Sequence, residues 1–185
     1  MDRASALALL KEHVKGDILK RHSTAVEASM RAYARKNGED EETWGIAGML
    51  HDFDWDVCPS PEQHPQYGAG ILRQRNAPEW LVHAVLSHGN STGVKRETPM
   101  EHALFAVDEL SGFVIAVALV RPSKSLRDTD AASVRKKMKD KRFAATINRE
   151  ELVQGAEELG IPLDEHITFV INALKPVAEQ LGLKP

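Results

Sequence analysis

Cysteine occurs once, at Cys58, so no intramolecular disulfide can form and no thiolate cluster can hold a structural zinc. Any metal must therefore be held by imidazole and carboxylate. Aromatic residues make up only 5% of the chain, and the alternating β-branched runs that mark half-buried strands are nearly absent. What remains is an all-α reading. No run of about 18 or more apolar residues is there to span a membrane; the longest candidate, FVIAVALV at 113–120, is too short. The opening MDRASALALLKEHVKGD mixes acids and bases in its first turns and reads as an amphipathic helix, not a secretory leader. A cytoplasmic location is the expectation. There is no internal repeat and no low-complexity tract.

A length of 185 residues suits one domain, or one domain with an appendage. Helical punctuation recurs along it. Leu7, Leu10 and Val14 form a first stripe, and a second helix carries His22, Val26, Met30 and Tyr33 before KNGEDEE breaks it. Trp44, Ala47, Met49 and Leu50 lead a third helix down to His51-Asp52, after which CPSPEQHP must be a connection. A helix resumes after Pro65, and another runs from Pro78 to Gly89, the residue type that ends helices at positive φ. MEHALFAVDELSGFVIAVALV, ended by Pro122, is the longest apolar helix, with Asp108 near its middle. LRDTDAASVRKKMKDKRF, NREELVQGAEELG and PLDEHITFVINALKPVAEQLGL supply three more.

The net charge of -3 gives no overall pull toward nucleic acid, but charge is uneven along the chain. Residues 121–149 hold ten of the 24 Lys and Arg against Asp128, Asp130 and Asp140. Such a stretch can face phosphate or form a solvated helix face. For nucleic acid, VRKKMKDKR lacks the interleaved aromatics that stack bases.

His51 and Asp52 close an apolar run, where both side chains are costly to bury unless something satisfies them. With His22, His64, His88 and Asp108 they form an inventory placed on or beside helix ends. Imidazole and carboxylate together are the ligand set of Zn, Fe, Mn, Co or Ni. His13, His83, His102 and His166 read as structural. Asp54 and Asp56 read first as loop acids closing the helix, and otherwise as acceptors that orient ligating imidazoles. Glu109, about 100° round the helix from Asp108, reads as polar lining or a solvent-exposed acid. Its alternative role is holding water or moving a proton.

The order His22, His51-Asp52, His64, His88, Asp108 resembles the HD superfamily of metal-dependent phosphohydrolases, in the two-metal branch that adds two histidines between HD and the last D. The words HSTAVEA, GMLHDFDWD, HPQYGAGIL, LSHGN and AVDELSG look like its bacterial HDIG-like members. The resemblance covers about residues 18–120. It departs from that pattern at Phe53 and Asp54, where Ile and Gly are frequent, and at Trp55, where many members have a lysine that touches substrate phosphate. The GYP signature of cyclic di-GMP phosphodiesterases is also missing.

The resemblance implies an HD-domain helical bundle over 1–120, and the helical extension over 121–185, outside the resemblance, is expected to pack on the same core. It implies two divalent transition metals, Fe or Mn first and Zn, Co or Ni next. His22, His51, Asp52 and Asp108 hold one; Asp52 bridges to the other, completed by His64 and His88. Catalysis then falls to Asp52 and His51 and to a bridging hydroxide activated by the dinuclear centre. The expected activity is hydrolysis of a phosphomonoester or phosphodiester in a nucleotide or related small phosphorylated metabolite. Without the lysine, Arg121 and Lys124 in VRPSKS are the first candidates for binding that phosphate, and Arg73 and Arg75 the second. Two readings compete: a di-iron oxygenase of the same superfamily, and a non-catalytic ligand- or nucleic-acid-binding module with a structural metal. A homodimer is compatible with the sequence, and no membrane partner is expected.

Overall fold

The computed structural model describes residues 1–58, 60 and 63–184. Among these residues the regular structure is helical: α1 Arg3–His13, α2 Asp17–Asn37, α3 Glu41–Leu50, α4 Gln66–Gln74, α5 Glu79–Ser87, α6 Pro99–Leu119, α7 Ala131–Met138, α8 Arg149–Glu158 and α9 Leu163–Leu174. Most starts are capped by their own sequence. Asp2 and Asp40 accept from backbone N–H groups of Ser5 and Thr43, and Thr98 with Glu101 forms a reciprocal capping box. Gly38 closes α2 at φ 73, as the break at KNGEDEE requires. The positive φ expected of Gly89 is not what ends α5: its φ is -120, extended backbone open to any residue. α5 ends instead on His88 in helical geometry. Of the connection CPSPEQHP, residues 59, 61 and 62 lie outside the description.

α6 is the axis of the bundle. Met100, Ala103, Leu104, Val107, Leu110, Phe113, Val114 and Val117 are all buried along it, and α2, α5, α8 and α9 pack around them. Its length and composition match those of a membrane span, but that apolar character is what a helix surrounded by other helices needs. α7, α8 and α9 bury Val134, Leu152, Ile167, Val170 and Ile171 in the same continuous core as α1–α6. α3 lies tight against α2, because a Cβ on Gly48 would meet the Val26 carbonyl oxygen at 2.9 Å. That close approach brings the start of α2 to the end of α3, where His22 and His51 sit.

His166 is a fully buried core histidine. Its Nε2–H donates to the Ala106 carbonyl of α6 at 2.9 Å, so its Nδ1 accepts from the Tyr33 hydroxyl at 2.7 Å. Protonation would turn that acceptor into a donor, and burial, with Lys36 adding to it, pushes the imidazole down to about 4. Between that value and the ordinary 6.5 the unfolded chain binds the extra proton. Stability is thus complete above about pH 6.5 and falls as the pH drops from there through 4, by up to about 3 kcal/mol. Denaturant midpoints recorded across this window should fall less steeply for His166→Gln, while that variant is weaker at neutral pH.

Candidate metal centre

Six side chains from five segments converge on one cluster. α2 brings His22, the end of α3 brings His51 and Asp52, the stretch before α4 brings His64, the end of α5 brings His88, and the middle of α6 brings Asp108. The ligand atoms fall into two groups, His22, His51, Asp52 and Asp108 in one and Asp52, His64 and His88 in the other. Within each, the atoms lie within 4.8 Å of one another. Asp52 belongs to both. Its Oδ2 faces His51 Nε2 at 3.3 Å and His22 Nε2 at 3.5 Å, while its Oδ1 faces His64 Nε2 at 3.1 Å and His88 Nε2 at 3.3 Å. Asp108 Oδ1 adds contacts to His22 at 2.9 Å and His51 at 3.2 Å.

The imidazoles are oriented from behind. His51 Nδ1–H donates to the Gly48 carbonyl at 2.8 Å, His88 Nδ1–H to the Val85 carbonyl at 2.6 Å, and His64 Nδ1–H to Asp54 Oδ1 at 2.8 Å. With the proton on Nδ1, each ring turns an Nε2 lone pair into the cluster. His64 and His88 then face each other through their Nε2 atoms at 3.4 Å, and His51 Nε2 lies 3.1 Å from His22 Nε2. Acceptors directed at acceptors among carboxylates are the arrangement a cation resolves, so the residues present fit a metal.

Without a cation, protons compensate. Burial disfavours charge on His51, which is 0% exposed, but the Asp52 and Asp108 carboxylates beside it outweigh that cost and hold its pKa well above normal. Burial likewise opposes ionisation of both carboxyls, and the His51 imidazolium more than offsets it, holding Asp52 and Asp108 well below the usual carboxylate range. His64 loses by burial and gains more from Asp52 and Asp54, ending at about 9.

Asp54 is 0% exposed. Besides His64 it accepts from the Gly68 N–H at 2.8 Å, and a Cβ on Gly68 would come within 2.9 Å of its Cγ. It is an imidazole-orienting acid, and the preferred loop reading is overturned for it. Asp56 does serve the loops. Its Oδ2 accepts from the Lys15 and Gly16 N–H groups, each at 2.7 Å, tying the α1–α2 turn to the segment after α3.

A pocket of about 420 Å³ opens onto the cluster. Glu109 lines it, with Trp55, Phe105, Thr146 and Glu151. Burial, then the neighbouring Asp108, pushes the Glu109 carboxyl up to about 7. Of its two readings, pocket lining holds and solvent exposure does not. Thr146 and Glu151 come from the extension and were not singled out, since NREELV shows only acids in the first turn of a helix, as most helices do.

The four basic candidates for phosphate binding lie elsewhere. Arg73 pairs with Glu79 at 3.0 Å and Arg75 with Glu12 at 2.7 Å. Arg121 is 13 residues past Asp108 in the chain, about 20 Å along the direction of α6, and lines a separate cleft with Lys136 and Lys137. Lys124 does not line the pocket over the cluster and sits in a turn where its carbonyl accepts from the Lys184 N–H at 2.8 Å. The remaining histidines keep structural partners: His13 the Leu9 carbonyl, His83 Glu101 and His102 Glu158.

A family model described as HD domain matches residues 19–174. The matched stretch includes the whole cluster and continues through α7, α8 and α9. No curated protein and no solved structure matches the chain.

Proposed function

Because the chain belongs to the HD domain family, whose members are typically metal-dependent phosphohydrolases, we propose that it hydrolyses a small phosphate ester at a dinuclear centre. The observation that carries this reading is the division of Asp52, with Oδ2 turned to His22 and His51 and Oδ1 to His64 and His88. One bridging carboxylate between two donor groups suits two divalent ions, with Fe or Mn preferred and Zn, Co or Ni compatible with the same donors. Such a pair lowers the pKa of a shared water and neutralises charge on phosphoryl oxygens. The chain's own contribution is to hold that pair. Gly48, Val85 and Asp54 fix the tautomers of His51, His88 and His64, and the helix ends carrying the ligands are anchored in the apolar core. Water would add to phosphorus as the P–O bond to the alcohol breaks, and the alcohol would leave with a proton.

The test is phosphate release from p-nitrophenyl phosphate, bis(p-nitrophenyl) phosphate and small alkyl phosphates by protein reconstituted with manganese or iron, with oxygen uptake recorded in parallel. Release that requires metal and is equal with and without oxygen is expected. Turnover seen only with oxygen consumption would replace this reading with oxygenase chemistry.

A further inference from the structure

The side chains around the cluster carry information about what enters it. Apart from the six residues of the two donor groups, the charged residues lining the pocket are Glu109 and Glu151, and no lysine or arginine among the described residues lines it. Two guanidinium groups attached to the segments around the pocket have partners of their own. Arg96 forms two bonds to Glu158 at 2.7 Å and lies over the Phe105 ring. Arg149 donates to the Ala144 and Ile147 carbonyls at 2.6 Å and to that of Phe143, fastening the turn that presents Thr146. Glu151 is held in turn by the Asn90 amide, which donates to its Oε1 at 3.1 Å. The same pocket has an aromatic lining residue in Trp55, which is 37% exposed and stands edge-on to the His64 ring at 4.8 Å.

A dinuclear centre can neutralise one phosphoryl group. Any further phosphate would meet Glu109 and Glu151 with no cation to offset it, which disfavours nucleoside diphosphates and triphosphates. A positive charge would meet two acidic side chains and an indole ring, the surroundings that recognise ammonium groups. We infer that the pocket selects a phosphate monoester whose other end is a protonated amine, received by Glu109 and Glu151 beside Trp55. This assignment rests on the hydrolase reading for its phosphate end and on the pocket lining for its amine end.

Calorimetric titration of the manganese-loaded protein with O-phosphoethanolamine and with ethyl phosphate, which has no amine, tests the amine end without relying on turnover. The amine ester should bind at least about tenfold more tightly. In Glu151→Gln that ratio should shrink to about twofold or less, whereas Glu151→Asp should keep most of it, with melting curves confirming that both variants fold. Equal binding of the two probes, a ratio untouched by Glu151→Gln, or no binding of either would overturn the inference. The hydrolase reading is judged separately, by phosphate release from ethyl phosphate and p-nitrophenyl phosphate in the same preparation. It stands if esters are cleaved without amine preference, and it fails if the preference appears in binding while no ester is cleaved.

Discussion

Asp52→Ala should strip the protein of both metals at once. In protein loaded with manganese and desalted, mass spectrometry should find about two ions per chain in the parent, close to none in Asp52→Ala, and about one in His88→Ala. The difference follows from geometry. His88 Nε2 reaches the cluster through Asp52 Oδ1, on the side shared with His64, so its loss leaves the group of His22, His51, Asp52 and Asp108 complete. Loss of Asp52 removes an oxygen from each group and also unbalances His51, whose buried imidazole is left with Asp108 alone. Phosphate release should fall on the order of 10³-fold or more. Asp52→Asn is the informative companion, since it preserves shape while removing the charge. It should resemble Asp52→Ala in metal content while keeping the parent's fold by circular dichroism. Retention of both ions by Asp52→Ala would mean that the carboxylate is not shared.

Much of the cluster was legible because several of its members sit at punctuation that sequence displays. His51 and Asp52 follow an apolar run that has to stop somewhere, His88 precedes a glycine, and Asp108 interrupts a helix that is otherwise apolar. A costly residue at an otherwise cheap position is visible without coordinates. Asp54 escaped that logic because DFDWD offers three acids in a row of five, and nothing in the string says which one turns inward. The turn after α3 decides it, by folding back until Asp54 meets His64 and Gly68 and leaving Asp56 outside. Gly89 misled for a related reason: a helix can end in a tightened turn without any residue at positive φ.

The basic residues were misplaced by distance rather than by chemistry. Sequence adjacency put Arg121 and Lys124 just past the Asp108 helix, but α6 ends at Leu119, and a helix that long carries its two ends to opposite sides of a domain. Its first half serves the cluster, and its far end belongs to the cleft of Arg121, Lys136 and Lys137. The pocket over the cluster keeps Glu109 and Glu151, two residues whose importance depends on which helix faces are turned together. Those contacts join segments more than 40 residues apart in the chain, and no local pattern announces them.

Asp54→Asn should disable half of the centre without touching a ligand. The carboxylate now accepts from His64 Nδ1–H through Oδ1 and from the Gly68 N–H through Oδ2. An asparagine can keep the Gly68 bond with its carbonyl oxygen, but its NH₂ group then faces His64 Nδ1. Two donors cannot share that contact, so the ring must move its proton to Nε2. Nε2 is the atom that faces Asp52 Oδ1 at 3.1 Å, and once protonated it has no lone pair to offer. Metal titrations followed by mass spectrometry should therefore show the group of Asp52, His64 and His88 filling only at about 10- to 100-fold higher free metal, with the His22 group filling as before. Asp54→Ala adds a second effect, since the buried Gly68 N–H loses its acceptor, and should lower stability by about 1–3 kcal/mol where Asp54→Asn does not. A filling curve unchanged in Asp54→Asn would return Asp54 to the role of a loop acid, and would mean that the His64 tautomer is set by the cluster itself.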